Sequence, residues 1–157
     1  SVPFLLTSYR IDQGGRYVVL EGKLDGKQLS LIGIYAPNTA LPEFLNSLTP
    51  ALLTNPAAPA IWGGDFNNTP DLTLDRSSPP THSAANRCPE GPLATWASNM
   101  GLCDLWRMKH PQHREYSFYS VPHKVYTRID LLWGTRDICT VTNGIEYLAK
   151  SLSDHSP

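Results

Sequence analysis

The sequence has no long apolar run, little charge and few thiols, and each shortage excludes something. No stretch approaches the roughly 20 apolar residues of a membrane-spanning helix, so no membrane partner is expected. The start, Ser1-Val2-Pro3-Phe4-Leu5-Leu6, is too short and lacks the basic leader of a secretory signal. There is no initiator Met, and the expectation is a chain that begins mid-protein. Charged residues are 17% of the total, below the roughly 25% usual in soluble proteins. Net charge is −1, so the basic footprint of a protein that holds nucleic acid by charge alone is missing. A catalytic domain stays open, because metal-ligand carboxylates offset basic contacts elsewhere. Three cysteines, Cys88, Cys103 and Cys139, are odd in number and far apart. They spell neither a disulfide framework nor a zinc site, and read as incidental thiols in a reducing compartment.

What is present suffices for one core. Apolar residues make up 41% of 157, a length that fits a single domain of roughly 100–200 residues. Tyr17–Leu24 and Gln28–Tyr35 are rich in β-formers and flank Asp25-Gly26, a strong hairpin signal because such turns need positive φ. Pro42–Leu53 carries Phe44, Leu45, Leu48 and Leu52 at helical spacing, with Pro42 suited to a first turn. Ala60-Ile61-Trp62 reads as a short buried strand running into Gly63-Gly64. Residues 50–92 hold eight of the fourteen prolines and read as a long irregular loop, of a kind that is usually functional or disordered. Leu93–Met100 predicts a helix stopped by Gly101. Tyr116–Ser120 and Arg128–Trp133 read as strands around a polar, aromatic tip, Val121–Thr127. A last strand is expected near Thr140–Tyr147. Hairpins mixed with helices predict a sheet-rich α/β core with helices outside.

Three constellations carry chemistry. In Gly63-Gly64-Asp65-Phe66-Asn67, an acid and an amide two residues apart would point the same way in extended chain, although Gly, Asp and Asn also build ordinary turns. Asp130 sits inside the apolar run Arg128–Trp133. A buried carboxylate needs a partner, which is either a metal or a base such as Arg128. Ser153-Asp154-His155 pairs an acid with an imidazole, the makings of an acid–base site, or else a solvated tail. Together they supply what phosphodiester hydrolysis needs: carboxylates for a cation, an oriented water and donors to the oxyanion.

The series Tyr35-Ala36-Pro37-Asn38, Gly64-Asp65-Phe66-Asn67, Leu74-Asp75-Arg76, Tyr126-Thr127-Arg128-Ile129-Asp130 and Ser153-Asp154-His155-Ser156 resembles the endonuclease domain of LINE-type (non-LTR) retrotransposons. Leu105-Trp106-Arg107, His110-Pro111 and Tyr116-Ser117-Phe118 look like the same branch of the endonuclease/exonuclease/phosphatase superfamily. The resemblance covers essentially the whole chain. It implies an α/β sandwich of two packed, mainly antiparallel sheets flanked by helices, and an Mg²⁺-dependent endonuclease, with Mn²⁺ as a substitute. By the same resemblance Asp65 would orient or deprotonate the attacking water, and Asn67 would hold that water and the phosphate. His155 would donate to the phosphate, with Asp154 orienting its ring or lying near the metal. Asp130 would polarise the network, and Tyr35 would reach the phosphate edge. His123, Lys124, Tyr126, Thr127 and Arg128 match a hairpin that probes the DNA minor groove. The partner implied is target-site duplex DNA, nicked in the nucleus to leave a 3′-hydroxyl and a 5′-phosphate. The domain would be monomeric within a longer polyprotein, and its nick would open a target site for reverse transcription.

The sequence also departs from the family. The early strand with an Asn and the segment with a metal-ligand Glu have no counterpart, since Glu21 and Glu43 lie in other contexts. The expectation is one domain over residues 1–157 that lacks its first strands and last strand, with unpaired sheet edges and weak or no activity alone. Two alternatives stay open. One is another phosphodiesterase of the superfamily: an apurinic endonuclease, a deadenylase or an inositol-phosphate phosphatase. The other is a non-catalytic remnant that binds nucleic acid.

Overall fold

A computed structural model of the chain describes residues 2–52, 58–78, 90–148 and 155. It is a mixed α/β fold with a six-stranded sheet, a two-stranded sheet and flanking helices. The strands are β1 (Phe4–Ile11), β2 (Tyr17–Leu24), β3 (Lys27–Tyr35), β4 (Ala60–Asp65), β5 (Leu102–Asp104), β6 (Phe118–Ser120), β7 (Val125–Thr127) and β8 (Asp130–Thr135). The helices are α1 (Leu41–Leu52), α2 (Pro92–Asn99), α3 (Leu105–Lys109) and α4 (Arg136–Val141). The large sheet runs β1-β2-β3-β4-β8-β5, and β6 pairs with β7. All pairs are antiparallel except β3 with β4, which α1 separates in sequence, as a parallel connection requires.

Local chemistry explains the best-formed pieces. Asp25 and Gly26 take φ of 51° and 75°, the double left-handed turn that matches the twist of a tight hairpin. In α1, Leu41, Leu45 and Leu48 recur at helical spacing and are all buried. They meet Ile32, Ile34 and Trp62 from the sheet and Leu93, Trp96 and Ala97 from α2 in one core. Trp62 and Trp96 rings lie 5.4 Å apart, and Trp96 Nε1 donates to Thr49 Oγ1 at 3.1 Å, so the buried indole keeps a partner.

Three expectations change. β1 was not anticipated. It is an edge strand with a register shift between Leu6 and Ser8, and Leu5, Leu6, Tyr9 and Ile11 are all more than half exposed. The expected strand near Thr140–Tyr147 is not one: α4 covers Arg136–Val141 and residues 142–148 are irregular. Thr140 Oγ1 and Thr142 Oγ1 donate to the Asp137 and Ile138 carbonyls, so these β-formers close a helical turn instead. The strand expected over Arg128–Trp133 begins only at Asp130 and extends to Thr135. Residues 53–57 and 79–89 of the 50–92 loop, Cys88 among them, lie outside the described residues. Its central part, residues 58–78, contains β4 and a turn in which the Asp71 carboxylate accepts from Thr73 and Leu74 N–H groups.

Candidate active site

β4 and β8 place two acids directly opposite each other. Asp65 ends β4, Asp130 begins β8, and the register pairs them across the ladder. Facing like charges destabilise a sheet, so this pairing calls for a third group or a cation. Tyr35 ends β3 opposite Asp65 and is 52% exposed, with the Arg16 guanidinium 5.3 Å from its ring centre. Tyr35, Asp65 and Asp130 therefore share one end of the sheet. The strand ends are locked there by Ala36 N–H donating to Asp65 O at 2.8 Å and Phe66 N–H to Ile129 O at 2.9 Å. Phe66 is fully buried and anchors the turn.

The turn itself explains Gly64. Its φ is 142°, and a Cβ there would lie 2.0 Å from the Ile34 carbonyl oxygen, so only glycine lets β4 approach β3 this closely. Asn67 does not reach Asp65 through extended chain. It turns back at φ 49°, and its N–H donates to Asp65 Oδ1 at 2.8 Å. Its Nδ2 donates to Ala36 O at 2.8 Å, fixing the amide between β3 and β4. The turn and the clustering of polar groups are one structure, not rival readings.

His155 completes the group. Its Nδ1 lies 2.8 Å from Asp130 Oδ2 and donates to that carboxylate. Its ring packs 4.7 Å from the Phe118 ring, next to a β-bridge with Phe118. The residue that orients this imidazole is thus Asp130. Asp154, expected in that role or at the metal, lies outside the described residues. One ligand atom each from Asp65, Asp130 and His155 falls within 4.8 Å of the others. Burial raises the Asp65 pKa above its ordinary value; the Asn67 N–H opposes this, the Asp130 charge adds to it and His155 lowers it. A donor set of two crowded carboxylates suits a hard divalent cation, which would relieve their repulsion.

Two residues that the sequence reading missed hold Asp130 in place. Ser117 is fully buried, and its Oγ accepts from the N–H groups of Ile129 and Asp130 at 3.1 and 3.0 Å. Tyr147 donates its hydroxyl to Asp130 O at 2.5 Å. Burial pushes that phenol up to about 12, so it remains a donor. Ser117 had no signal beyond its place in Tyr116-Ser117-Phe118, and Tyr147 had none. An open cleft of about 230 Å³, lined in part by Gly64, Asp130, Leu132, Glu146 and Tyr147, adjoins the cluster.

The hairpin residues divide. His123, Lys124 and Tyr126 are exposed, and Tyr126 stacks 4.4 Å from Tyr119 and 6.0 Å from Tyr116. Thr127 and Arg128 are buried, which corrects the assignment of Arg128 to a DNA-contacting tip. Its side chain is 0% exposed, with Nε 2.7 Å from Asp75 Oδ1 and Nη2 2.6 Å from Asp104 Oδ2. Burial alone would lower its pKa, but hydrogen bonds and charge from Asp75 and Asp104 outweigh this and raise it. Arg107 adds a second cation, Nη2 to Asp75 Oδ1 at 2.5 Å. Arg128 therefore does not pair with Asp130 either; it braces β8 from behind the site.

The sequence matches no family model, whereas solved structures match across most of the chain. What the likeness shows is the fold, the endonuclease/exonuclease/phosphatase fold. Its solved examples include the endonuclease domain of TRAS1, a telomere-specific non-LTR retrotransposon, at TM-score 0.68 and 18% identity over 96% of this chain. An AP endonuclease from Archaeoglobus fulgidus gives 0.59 and 22% over 89%. D. rerio TDP2 complexed with single-strand DNA product gives 0.58 and 15% over 98%. This chain spans 66, 60 and 66% of those three chains.

Proposed function

We propose that this chain carries a divalent-metal-assisted phosphodiesterase site that nicks DNA, of the retrotransposon endonuclease type. The observation that carries the reading is the facing pair Asp65 and Asp130, bridged to His155 at one end of the sheet. A structural acid pair would have been neutralised by a nearby Arg. Here the buried Arg128 is committed elsewhere, to Asp75 and Asp104.

The residues divide the work. Asp65, whose carboxylate binds a proton more readily than usual, orients and deprotonates the attacking water. Asn67, its amide held by Ala36 O, steadies the water and the phosphate. Asp130 fixes the His155 ring through Nδ1, so that His155 donates to the developing oxyanion. Tyr35 edges the phosphate position. Mg²⁺, or Mn²⁺ in its place, would be held by Asp65 and Asp130, with Asp154 proposed as a further ligand, and would supply positive charge to the phosphodiester oxygens. The exposed hairpin with His123, Lys124 and Tyr126 meets the duplex. The parent protein is proposed to act in the nucleus, ahead of reverse transcription. Among the described residues no glutamate joins the cluster, so the isolated chain is proposed to nick slowly.

The test is conversion of supercoiled plasmid to open circles. Slow conversion that needs Mg²⁺ or Mn²⁺ and is lost in Asp65→Ala supports the reading. Conversion that ignores chelator, or survives Asp65→Ala, overturns the site. A rate equal to that of the TRAS1 endonuclease domain overturns the slow-nicking part. Abasic DNA, poly(A) and phosphoinositides under the same conditions separate the related phosphodiesterases.

A further inference from the structure

Away from the acidic site, Cys103 and Cys139 meet beside Gly134 of β8. Cys103 is the middle residue of β5 and stands opposite Gly134 in the β5–β8 register. Cys139 lies on α4, with its Sγ 3.6 Å from the Gly134 carbonyl oxygen. The cross-strand pairing of Cys103 with Gly134 and the contact of Cys139 with the Gly134 carbonyl bring both cysteines to the same glycine. The absence of a side chain at position 134 makes the meeting possible. A Cβ there would fall 2.9 Å from Ile138 Cγ2 and from Leu105 Cδ2, holding α4 off the sheet. Cys103 is exposed and Cys139 half-buried. Burial first, and Cys103 second, push the Cys139 thiol up to about 11. Cys103 is therefore the thiol that meets reagents from solvent first.

We propose that Cys103 and Cys139 are a modification site: they close into a reversible disulfide that staples α4 to β5 when a low-molecular-weight disulfide such as oxidised glutathione is present. The Cys103 thiolate attacks one sulfur of the reagent, forming a mixed disulfide and expelling one glutathione thiolate. Cys139 loses its proton to solvent and attacks the Cys103 sulfur, and the second glutathione leaves as thiolate. Two protein thiols are oxidised, one reagent disulfide is reduced to two thiols, and the protons pass to the leaving groups. The staple closes the loop that contains β6, β7 and Asp130, and it fixes α4 just ahead of the segment that carries Tyr147 to the Asp130 carbonyl.

The test treats folded Cys88→Ser protein with oxidised glutathione, followed by intact mass, peptide mapping and melting. The expected result is loss of two hydrogens, a peptide joining Cys103 to Cys139, and a melting temperature raised by roughly 10 °C. Dithiothreitol reverses all three. Cys139→Ser and Cys139→Ala stop at one glutathione on Cys103. Protein with Cys88 retained gives the same Cys103–Cys139 peptide. A lasting glutathione adduct on Cys103 with no linked peptide overturns the proposal, as does a linkage that engages Cys88 or a second molecule. An unchanged or lowered melting temperature in the linked protein overturns the staple.

Discussion

Replacing Asp75 by Ala separates a bracing role for Arg128 from a DNA-contacting one. Asp75 is 0% exposed and receives Arg128 Nε at 2.7 Å, Arg128 Nη2 at 3.0 Å and Arg107 Nη2 at 2.5 Å. It also receives the Asp71 N–H at 2.9 Å. Without it, Arg128 keeps Asp104 as its remaining carboxylate among the described residues, where Arg128 Nη1 already lacks a hydrogen-bond partner. Breaking a buried pair from one side costs about 3–5 kcal/mol, set against roughly 5–15 kcal/mol for a whole domain. The assay is urea unfolding followed by tryptophan fluorescence. Trp106 is a built-in probe, since the Arg107 and Arg128 guanidinium carbons lie 4.9 and 5.1 Å from its ring centre. The midpoint should fall sharply at unchanged slope, and Asp75→Leu with Arg128→Met should recover part of the loss. A cost below about 1 kcal/mol, the range of exposed pairs, would refute the bracing role.

Two further outcomes follow from the same geometry. Ser117→Ala removes the hydroxyl oxygen that accepts from both the Ile129 and the Asp130 N–H groups. Each orphaned donor costs roughly 1–3 kcal/mol, and chemical denaturation of the variant should show it; a change within error would mean the two groups find other acceptors. Asp65→Asn, in the presence of chelator, should match wild type below pH 3.8, the ordinary Asp65 value, and exceed it above. The sign follows from linkage: a carboxyl whose pKa is raised by folding stabilises only while protonated, and that stability is lost as pH rises through the folded value. Equal stabilities across pH 3 to 7, followed by melting, would contradict the crowding of Asp65 by burial and Asp130.

Much of the fold was legible because local chemistry and tertiary packing agree. Asp25-Gly26 demanded a tight turn and obtained it, and the leucines of α1 had one face to bury. The failures have physical reasons. β1 exposes the apolar residues that would have marked a strand, and α4 is a helix made of β-formers closed by threonine side chains. β5, β6 and β7 span only three residues each, too short for periodicity. At the site, Asp65, Asn67, Asp130 and His155 stood out by residue type. That Asp65 faces Asp130 depends on a register between strands far apart in sequence, which no local pattern encodes. Arg128 misled for a related reason: beside a polar tip it reads as exposed, but Asp75 and Asp104 draw it inward.

The most direct test of the central claim is the melting temperature of the chain with and without Mn²⁺ or Mg²⁺, in wild type and Asp65→Ala. If Asp65 and Asp130 hold the cation, wild type should be stabilised by about 2.7 kcal/mol at a hundred times the dissociation constant. That corresponds to a rise of roughly 5–10 °C, which Asp65→Ala should largely abolish. No cation-dependent rise in wild type, or an equal rise in Asp65→Ala, would contradict the assignment of the cluster as a metal-assisted phosphodiesterase site.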